Sequence, residues 1–523
     1  MAEYLHPGVY IEEIERGPRP IEGVPTSVAA FLGLAERGPL MPRLVTSYKD
    51  YVRKFGGVYD QFKYVPYAAS GFFENGGKQL YVCRLVGQNA TPATLDLGDF
   101  LLRAAGPGSW GLRLWVSVRA STTQSGGAPI GFRISAGYFP LGVEPYDPFG
   151  KSNSARLPRP QALEDFDDMV VDEKSPDYYG KRVPFIDLDK GELNQGPLSS
   201  SLFVLVRKSG VAAGTLPAFN TSLLTDGGAD DEVLTAPDFT GLTAGQRNDI
   251  QGLTALELDA FRDVSIVYAP AAGDDVVQEV VAHCENLRYR FAVVDCPKGI
   301  SDSSQLDPRT TLKDTEYASY YYPWIAISDP STGARKFIPP GGHVIGVYAR
   351  TDDLRGVFKA PANESVSGVL DLEYDIRDND QDVINPRGVN AIRRFPGRGI
   401  RIWGARTLSS NSLWRYTSVR RLFIFLERSI FEGTQWVVFE PNDTKLWARV
   451  VDSIRLFLRT QWREGALFGR KEADAFFITC DETTMTQDDI LQGRLICEIG
   501  IAPVRPAEFV IFKIFQNTAE AQT

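Results

Sequence analysis

Three histidines and five cysteines are all the imidazole and thiol chemistry that the 523 residues offer. His343 lies in "PPGGHVIGV", where two prolines and two glycines open a helix. A histidine base needs a nucleophile held on a strained turn beside it, and the chain has no GxSxG. His343 therefore reads as a helix-start histidine. His283 adjoins Cys284, with Cys296 twelve residues on, but no second ligand pair stands at zinc spacing. His6 lies in the N-terminal stretch. A phosphate-binding GxxxxGK[ST] is missing, and "GRGIRIWG" (397–404) has glycines but no helix for them to open, so it reads as a strand between turns. No catalytic residue, no metal and no cofactor is expected.

The chemistry that does stand out is ionic. The chain carries a net charge of −10 with 43 % hydrophobic and 23 % charged residues, a composition typical of a folded protein. Residues 386–470 hold 16 Lys and Arg against 6 Asp and Glu. A basic segment in an acidic protein suggests a partner with an acidic surface. Within it, "TKLWARVVDSIRLFLRTQWR" (444–463) is a helix by its period. At about 100° per residue, Leu446, Trp447, Val450, Val451, Ile454, Phe457, Leu458 and Trp462 fall in one arc of roughly 160°. Lys445, Arg449, Arg459 and Arg463 cluster opposite with Asp452, Arg455 flanks them, and Leu456 lands on the basic side. Both tryptophans belong to the apolar arc and not to the arginines, which argues against nucleic acid. The five cysteines are odd in number and scattered, so no disulfide framework and a reducing compartment are expected. No run approaches the roughly 18 apolar residues of a membrane span, and "MAEYLHPGVYIEE" has neither the basic nor the apolar region of a signal peptide.

The elements that must position these residues follow an α/β order. "TSVAAFLGLAERGP" (26–39) is a buried strand ended by Gly-Pro; helices around 47–56 and 64–77 and the strand 79–86 follow. A βαβ unit runs from "VSIVYAP" (264–270) through "DDVVQEVVAHCENL" (274–287) to "RFAVVDCP" (290–297). "YYPWIAIS" (321–328) reads as a further strand. Between about 96 and 258 alternating stretches such as 111–121 and 201–209 sit among Pro/Gly/Asp-rich loops, the texture of an inserted, mostly β domain. The expected layout is an N-terminal strand arm and linker (1–25), a discontinuous central α/β domain (26–95 with 259–385), the insert (96–258), a C-terminal α+β domain (386–506) and a C-terminal strand arm (507–523).

The two ends are strands without a home. "EFVIFKIFQ" (508–516) has no polar face: Phe509, Ile511 and Phe515 point one way, interrupted only by Lys513, and Val510, Phe512 and Ile514 the other. At the start, "GVYIEEI" (8–14) places Val9, Tyr10, Ile11 and Ile14 in a short strand. It is separated from the body by "RGPRPIEGVP" (16–25), where Pro18, Pro20, Gly23 and Pro25 exclude regular structure. Ten such residues reach at most about 33–36 Å, and the prolines keep them extended, so the stretch reads as a stiff tether.

The order of these pieces resembles the contractile tail sheath proteins. "YLHPGVYIEE…GVPTSVAAFLGLAERGP", "INPRGVNAIRRFPGRGIRIWGARTL" (384–408), "YTSVRRLFIFLERSI" (416–430), "TKLWARVVDSIRLFLRTQWREGALFG" (444–469) and "RPAEFVIFKIFQ" (505–516) carry the likeness; residues 96–258 do not share in it. The resemblance implies a central subtilisin-like α/β domain, an outer insert and an inner, tube-facing C-terminal domain. It also implies self-assembly into stacked six-subunit rings around an inner tube protein, with baseplate and terminal cap proteins at the ends, built in the bacterial cytoplasm as part of a phage tail or tail-like particle. Contraction would drive the tube through a target envelope, without direct nucleic-acid binding or membrane insertion. Neighbours would exchange terminal strands, which gives both arms a partner. The GTSMA and HGT motifs of subtilisin-type proteases are missing, so the fold would come without the protease. The basic helix face would then meet the tube.

Overall fold

The computed structural model describes residues 20–60, 62–150, 157–194, 202–241 and 251–511. The chain divides into two compact units, Pro25–Arg421 and Leu422–Thr523; the second also takes in the residues before Pro25.

In the first unit an eight-stranded sheet is built from β1 (Ala29–Gly33), β2 (Arg43–Val45), β3 (Leu80–Arg84), β4 (Ile266–Tyr268), β5 (Phe291–Asp295), β6 (Ala318–Tyr322), β7 (Val389–Phe395) and β8 (Gly399–Trp403). Its order is β2-β3-β1-β4-β5-β6-β7-β8, parallel from β3 to β7 and antiparallel at both edges. β1, β4, β5 and β6 are buried at every residue, as a parallel sheet covered on both faces requires. Helices α1 (Tyr48–Phe55) and α2 (Val65–Glu74) fall between β2 and β3, and α3 (Asp274–Leu287) connects β4 to β5. The strand expected over 321–328 is two: β6 stops at Tyr322, and Ile325–Ser328 joins a separate three-stranded sheet. Pro323 supplies no N–H to a ladder, so the run breaks there. β7 and β8 belong to this sheet, so residues 386–421, expected with the C-terminal domain, fall in the first unit.

Helix α4 (Gly341–Arg355) explains the glycines beside His343. Gly342 lies against the Ala68 backbone and Gly346 against Phe72 and Asn75, so α2 and α4 meet where a Cβ would not fit. His343 is buried over Gly71 of α2, its Nδ1 has no hydrogen-bond partner, and burial pushes its pKa down to about 4.

Between β3 and β4 the described residues make two larger sheets and a short hairpin, Gln124–Ser125 with Ala128–Pro129. One runs Glu192–Asn194, Phe185–Asp187, Phe203–Arg207, Phe100–Ala104, Ala93–Leu97, Asp226–Gly227; the other runs Ala162–Met169, Phe132–Tyr138, Leu114–Ala120, Asn220–Leu223. Their inward residues, among them Phe100, Leu102, Val116, Ile134 and Leu205, share one buried cluster.

The second unit contains most of α5 (Thr417–Gly433), then α6 (Thr444–Arg463) and a hairpin of β9 (Phe476–Thr479) and β10 (Glu498–Ile501). Asp443 caps α6 by accepting from the Leu446 amide. Phe457 of α6 meets Phe425 of α5 with ring centroids 6.0 Å apart.

Both chain crossings between the units start from one carboxylate of the first. Asp352, at the C-terminal end of α4, accepts two bonds from Arg421, at 3.0 and 2.5 Å, and one from the Thr26 hydroxyl at 2.6 Å; Arg421 also donates to the Thr26 carbonyl at 2.9 Å. The ion pair is almost completely buried. Asp352→Ala leaves the guanidinium uncompensated and should cost about 3–5 kcal/mol, seen as a lowered denaturation midpoint. Asp352→Leu with Arg421→Met should recover much of that loss; if it does not, the Thr26 bonds carry more of the stability than the ion pair.

Candidate intersubunit surface of the C-terminal unit

The four basic residues proposed for contact differ in their surroundings. Lys445 and Arg463 are exposed and, among the described residues, have no ion-pair partner. Arg449 lies 4.6 Å from the Trp436 ring centroid and 3.7 Å from Glu440. Arg459 is engaged: its Nε and Nη2 donate to Glu472 at 2.7 and 3.2 Å, and this holds the Glu472 carboxyl below its ordinary pKa. Arg455 comes within 3.5 Å of Asp452 and 3.9 Å of Glu472. Leu456, expected on the basic side, is exposed, while Leu446, Trp447, Val450, Ile454, Phe457 and Leu458 are buried. Val451 and Trp462 are only half-buried.

The charge excess that pointed to this helix lies elsewhere. Residues 386–421 contain nine arginines and no other charged residue, whereas 422–470 hold seven basic and six acidic side chains. The nine belong to the first unit, and most are spent inside it. Arg387 donates to the carbonyls of Ser304 and Leu306, Arg401 to those of Arg398 and Asn363, and Arg406 to that of Asn385. Arg393 pairs with Asp378, Arg394 with Asp371 and Arg420 with Glu316. An arginine has five donors and no acceptor, so a loop-rich sheet edge can hold many of them, and the charge excess sits in the first unit and not on α6.

Part of the tether is docked. Ile21 is buried and lies where a Gly433 side chain would sit, Gly23 sits against the Phe425 ring, and the Val24 amide donates to Ser429 Oγ at 3.1 Å. Positions 425, 429 and 433 are one face of α5, and the segment runs along it in the opposite direction. Gly433 and Ser429 are small enough to let a backbone approach. Pro20 and Pro25 are exposed. The stretch therefore is not a free rope of ten residues: the apolar Ile21 between two prolines, read as linker, is an anchor. The signal was two small residues four apart on α5, Ser429 and Gly433, one turn beyond Phe425. Pro18 and the strand Val9, Tyr10, Ile11 and Ile14 lie outside the described residues.

At the other end, Phe509, Val510 and Ile511 join no strand among the described residues and are 72 %, 68 % and 80 % exposed. Phe512, Ile514 and Phe515 lie outside the described residues. Among the described residues β9 and β10 pair only with each other, from Phe476↔Ile501 to Thr479↔Glu498.

The buried titratable groups of the first unit serve its packing. Asp295 at the end of β5 accepts from Tyr268 Oη at 2.6 Å and from the Gly341 and Ala271 amides, and burial pushes its pKa up to about 6. It caps α4 and is sealed, as is His343. Arg290 donates to the ring of His283 at 2.7 Å, and burial pushes that imidazole down to about 3. No cluster of metal-ligating side chains occurs among the described residues, and among them no helix is long and apolar enough to cross a membrane.

The phage tail sheath protein central domain matches residues 234–408, and the phage tail sheath C-terminal domain matches residues 409–517. The chain belongs to the phage tail sheath family. A prophage major tail sheath protein of Pseudomonas aeruginosa strain UCBPP-PA14 is 26 % identical over 281 residues, 52 % of this chain and 69 % of that one. The tail sheath protein of Burkholderia phage BcepMu is 25 % identical over 323 residues, 58 % of this chain and 66 % of its own length. The sheath of an extracellular contractile injection system, PVC, solved in its contracted state, has the same fold over the whole of both chains, with a TM-score of 0.59 at 23 % identity. α5, the helix that seats residues 21–24, falls within the C-terminal match.

Gly433→Leu should unseat Ile21, at an overpacking cost of roughly 1–3 kcal/mol. Limited proteolysis would read this as faster cleavage within residues 16–25 with no change elsewhere. Unaltered cleavage would show that the segment is not held by α5.

Proposed function

We propose that this chain is the repeating subunit of a contractile sheath, polymerised as stacked hexameric rings around an inner tube, whose shortening drives the tube through a target envelope. The observation that carries the reading lies in the C-terminal unit. A two-stranded hairpin is marginal by itself, and β9 and β10 leave both outer edges unpaired among the described residues. The apolar segment that begins at Phe509 leaves the same unit exposed. A strand without a sheet and a sheet short of strands are complementary, and exchange between neighbours satisfies both by β-augmentation. The N-terminal strand, carried past the anchor at Ile21, is the second donor.

In this reading the chain works by assembly and not by catalysis, and is built in the bacterial cytoplasm as part of a phage tail or tail-like particle. Baseplate and cap proteins close its ends, residues 96–258 form the outer domain, and the C-terminal domain faces the tube. Of the basic residues, Lys445 and Arg463 are the ones left for an acidic tube, since Arg459 already serves Glu472. Interfacial charges of this kind set register and encounter more than affinity.

Deleting residues 507–523 should leave a soluble subunit with an unchanged melting transition that forms no cylinders under the electron microscope. An insoluble product would mean that the strand serves its own subunit. Lys445→Glu with Arg463→Glu should spare both fold and sheath–sheath polymers but prevent packing around tube at low salt. Normal packing would show that this face is merely solvated.

A further inference from the structure

The C-terminal hairpin holds two of the five cysteines face to face. The β9–β10 register runs Phe476↔Ile501, Phe477↔Gly500, Ile478↔Ile499 and Thr479↔Glu498. The next pair along the ladder is Cys480 and Cys497. Cys480 is buried and Cys497 half-buried, and both are free thiols. The Thr484 hydroxyl donates to the Ile496 carbonyl at 3.0 Å, so the two chains stay together just beyond the pair. Residues directly opposite on antiparallel strands have Cα atoms about 4.5–5.5 Å apart, within the separation that a disulfide spans. The remaining cysteines, Cys83 in β3, Cys284 in α3 and Cys296 after β5, lie buried in the other unit.

We propose that Cys480 and Cys497 form a reversible intramolecular disulfide that closes the 481–496 loop and locks the hairpin register. The reaction takes a two-electron oxidant of the peroxide class. One thiolate attacks a peroxide oxygen, the O–O bond breaks, and a sulfenic acid and water result. The second sulfur then attacks the first, the S–S bond forms and the S–O bond breaks, and the oxygen leaves as a second water. Each thiol contributes one proton, so one hydrogen peroxide and two thiols give one disulfide and two waters. A dithiol returns the pair to the reduced form by exchange.

The surroundings make the pair slow and selective. The two thiols hydrogen-bond each other, and burial together with the neighbouring sulfur pushes Cys497 up to about 12; burial raises Cys480 as well. Little thiolate exists at neutral pH, so the pair stays reduced where thiols are abundant and oxidises on prolonged exposure. The consequence for the fold is local. Slipping a hairpin by one residue turns every side chain to the other face, and a cross-strand bond at its base forbids that slip. It fixes Ile499 and Ile501, and with them the root of the segment that leads to Phe509.

The full-length soluble protein, reduced and then incubated with hydrogen peroxide near pH 8.5, provides the test. Intact mass under non-reducing conditions should fall by two hydrogens, and peptide mapping should recover one crosslink, Cys480 to Cys497. A parallel sample oxidised in denaturant should give mixed pairings. Protease cleavage within 481–496 should slow by roughly a hundredfold, the entropy effect of closing a loop of about that length, and a dithiol should restore it. The Cys497→Ser protein should show neither the mass change nor the protection. Intermolecular dimers, crosslinks to Cys83, Cys284 or Cys296, or sulfinic acid without any crosslink would each overturn the proposal. None of these readouts depends on polymerisation, so failure here leaves the sheath reading intact, and the reverse holds as well.

Discussion

The carboxylate of Asp352 is the point on which the connectivity of the first unit depends. The chain enters that unit at Pro25 and leaves it at Arg421, and the residues next to both crossings, Thr26 and Arg421, are bonded to the same side chain. Asp352 is itself fixed by α4, whose other end is capped by Asp295 through the Gly341 amide. One helix thus runs between two buried carboxylates, one holding its start and the other holding both exits of the chain. A buried ion pair of this kind adds little net stability over a well-packed apolar pair. It does supply direction: five donors and a planar fork fix Thr26 and Asp352 at set angles about Arg421, which a leucine in the same place would not.

The second unit is organised by close approach. Gly433 and Ser429 open a face of α5 wide enough for a backbone, and residues 21–24 occupy it with one side chain, Ile21, and one amide. The segment nearest the N terminus is therefore bound to the same unit that carries the C-terminal hairpin.

Much of this was legible in the sequence. The long periodic helices were, because α6 carries its own cap at Asp443 and an unbroken apolar stripe. So was the parallel sheet, because β1, β4 and β5 are short apolar runs ended by Gly or Pro. The split at Pro323 was visible in principle, since the residue that breaks the ladder is in the quoted stretch. The charge count did not locate the excess: the 386–421 arginines belong to the first unit, and many of them bond carbonyls and carboxylates there. The docked linker was missed because a stiff, detached tether was read from its prolines, while the deciding small residues were on α5, far away in sequence. Site assignments that need a second chain, such as Phe509 to Ile511, could only be read as an absence of cover.

That absence bears on how a polymer-forming subunit avoids aggregating before it assembles. Four-residue strands offer few ladder bonds to a wrong partner, and Gly500 gives β10 no side chain of its own, the space being filled by Phe477 from β9. The apolar segment after Pro506 is the opposite, strongly apolar but with no strand of its own chain beside it among the described residues. Neither piece alone is a good template for unspecific pairing, since a useful edge needs both length and a flat apolar face. Brought together, the hairpin lends order and the segment lends area. On the proposed exchange of strands, the specificity of assembly resides in the match between an incomplete sheet and a particular strand, and less in any one charged contact.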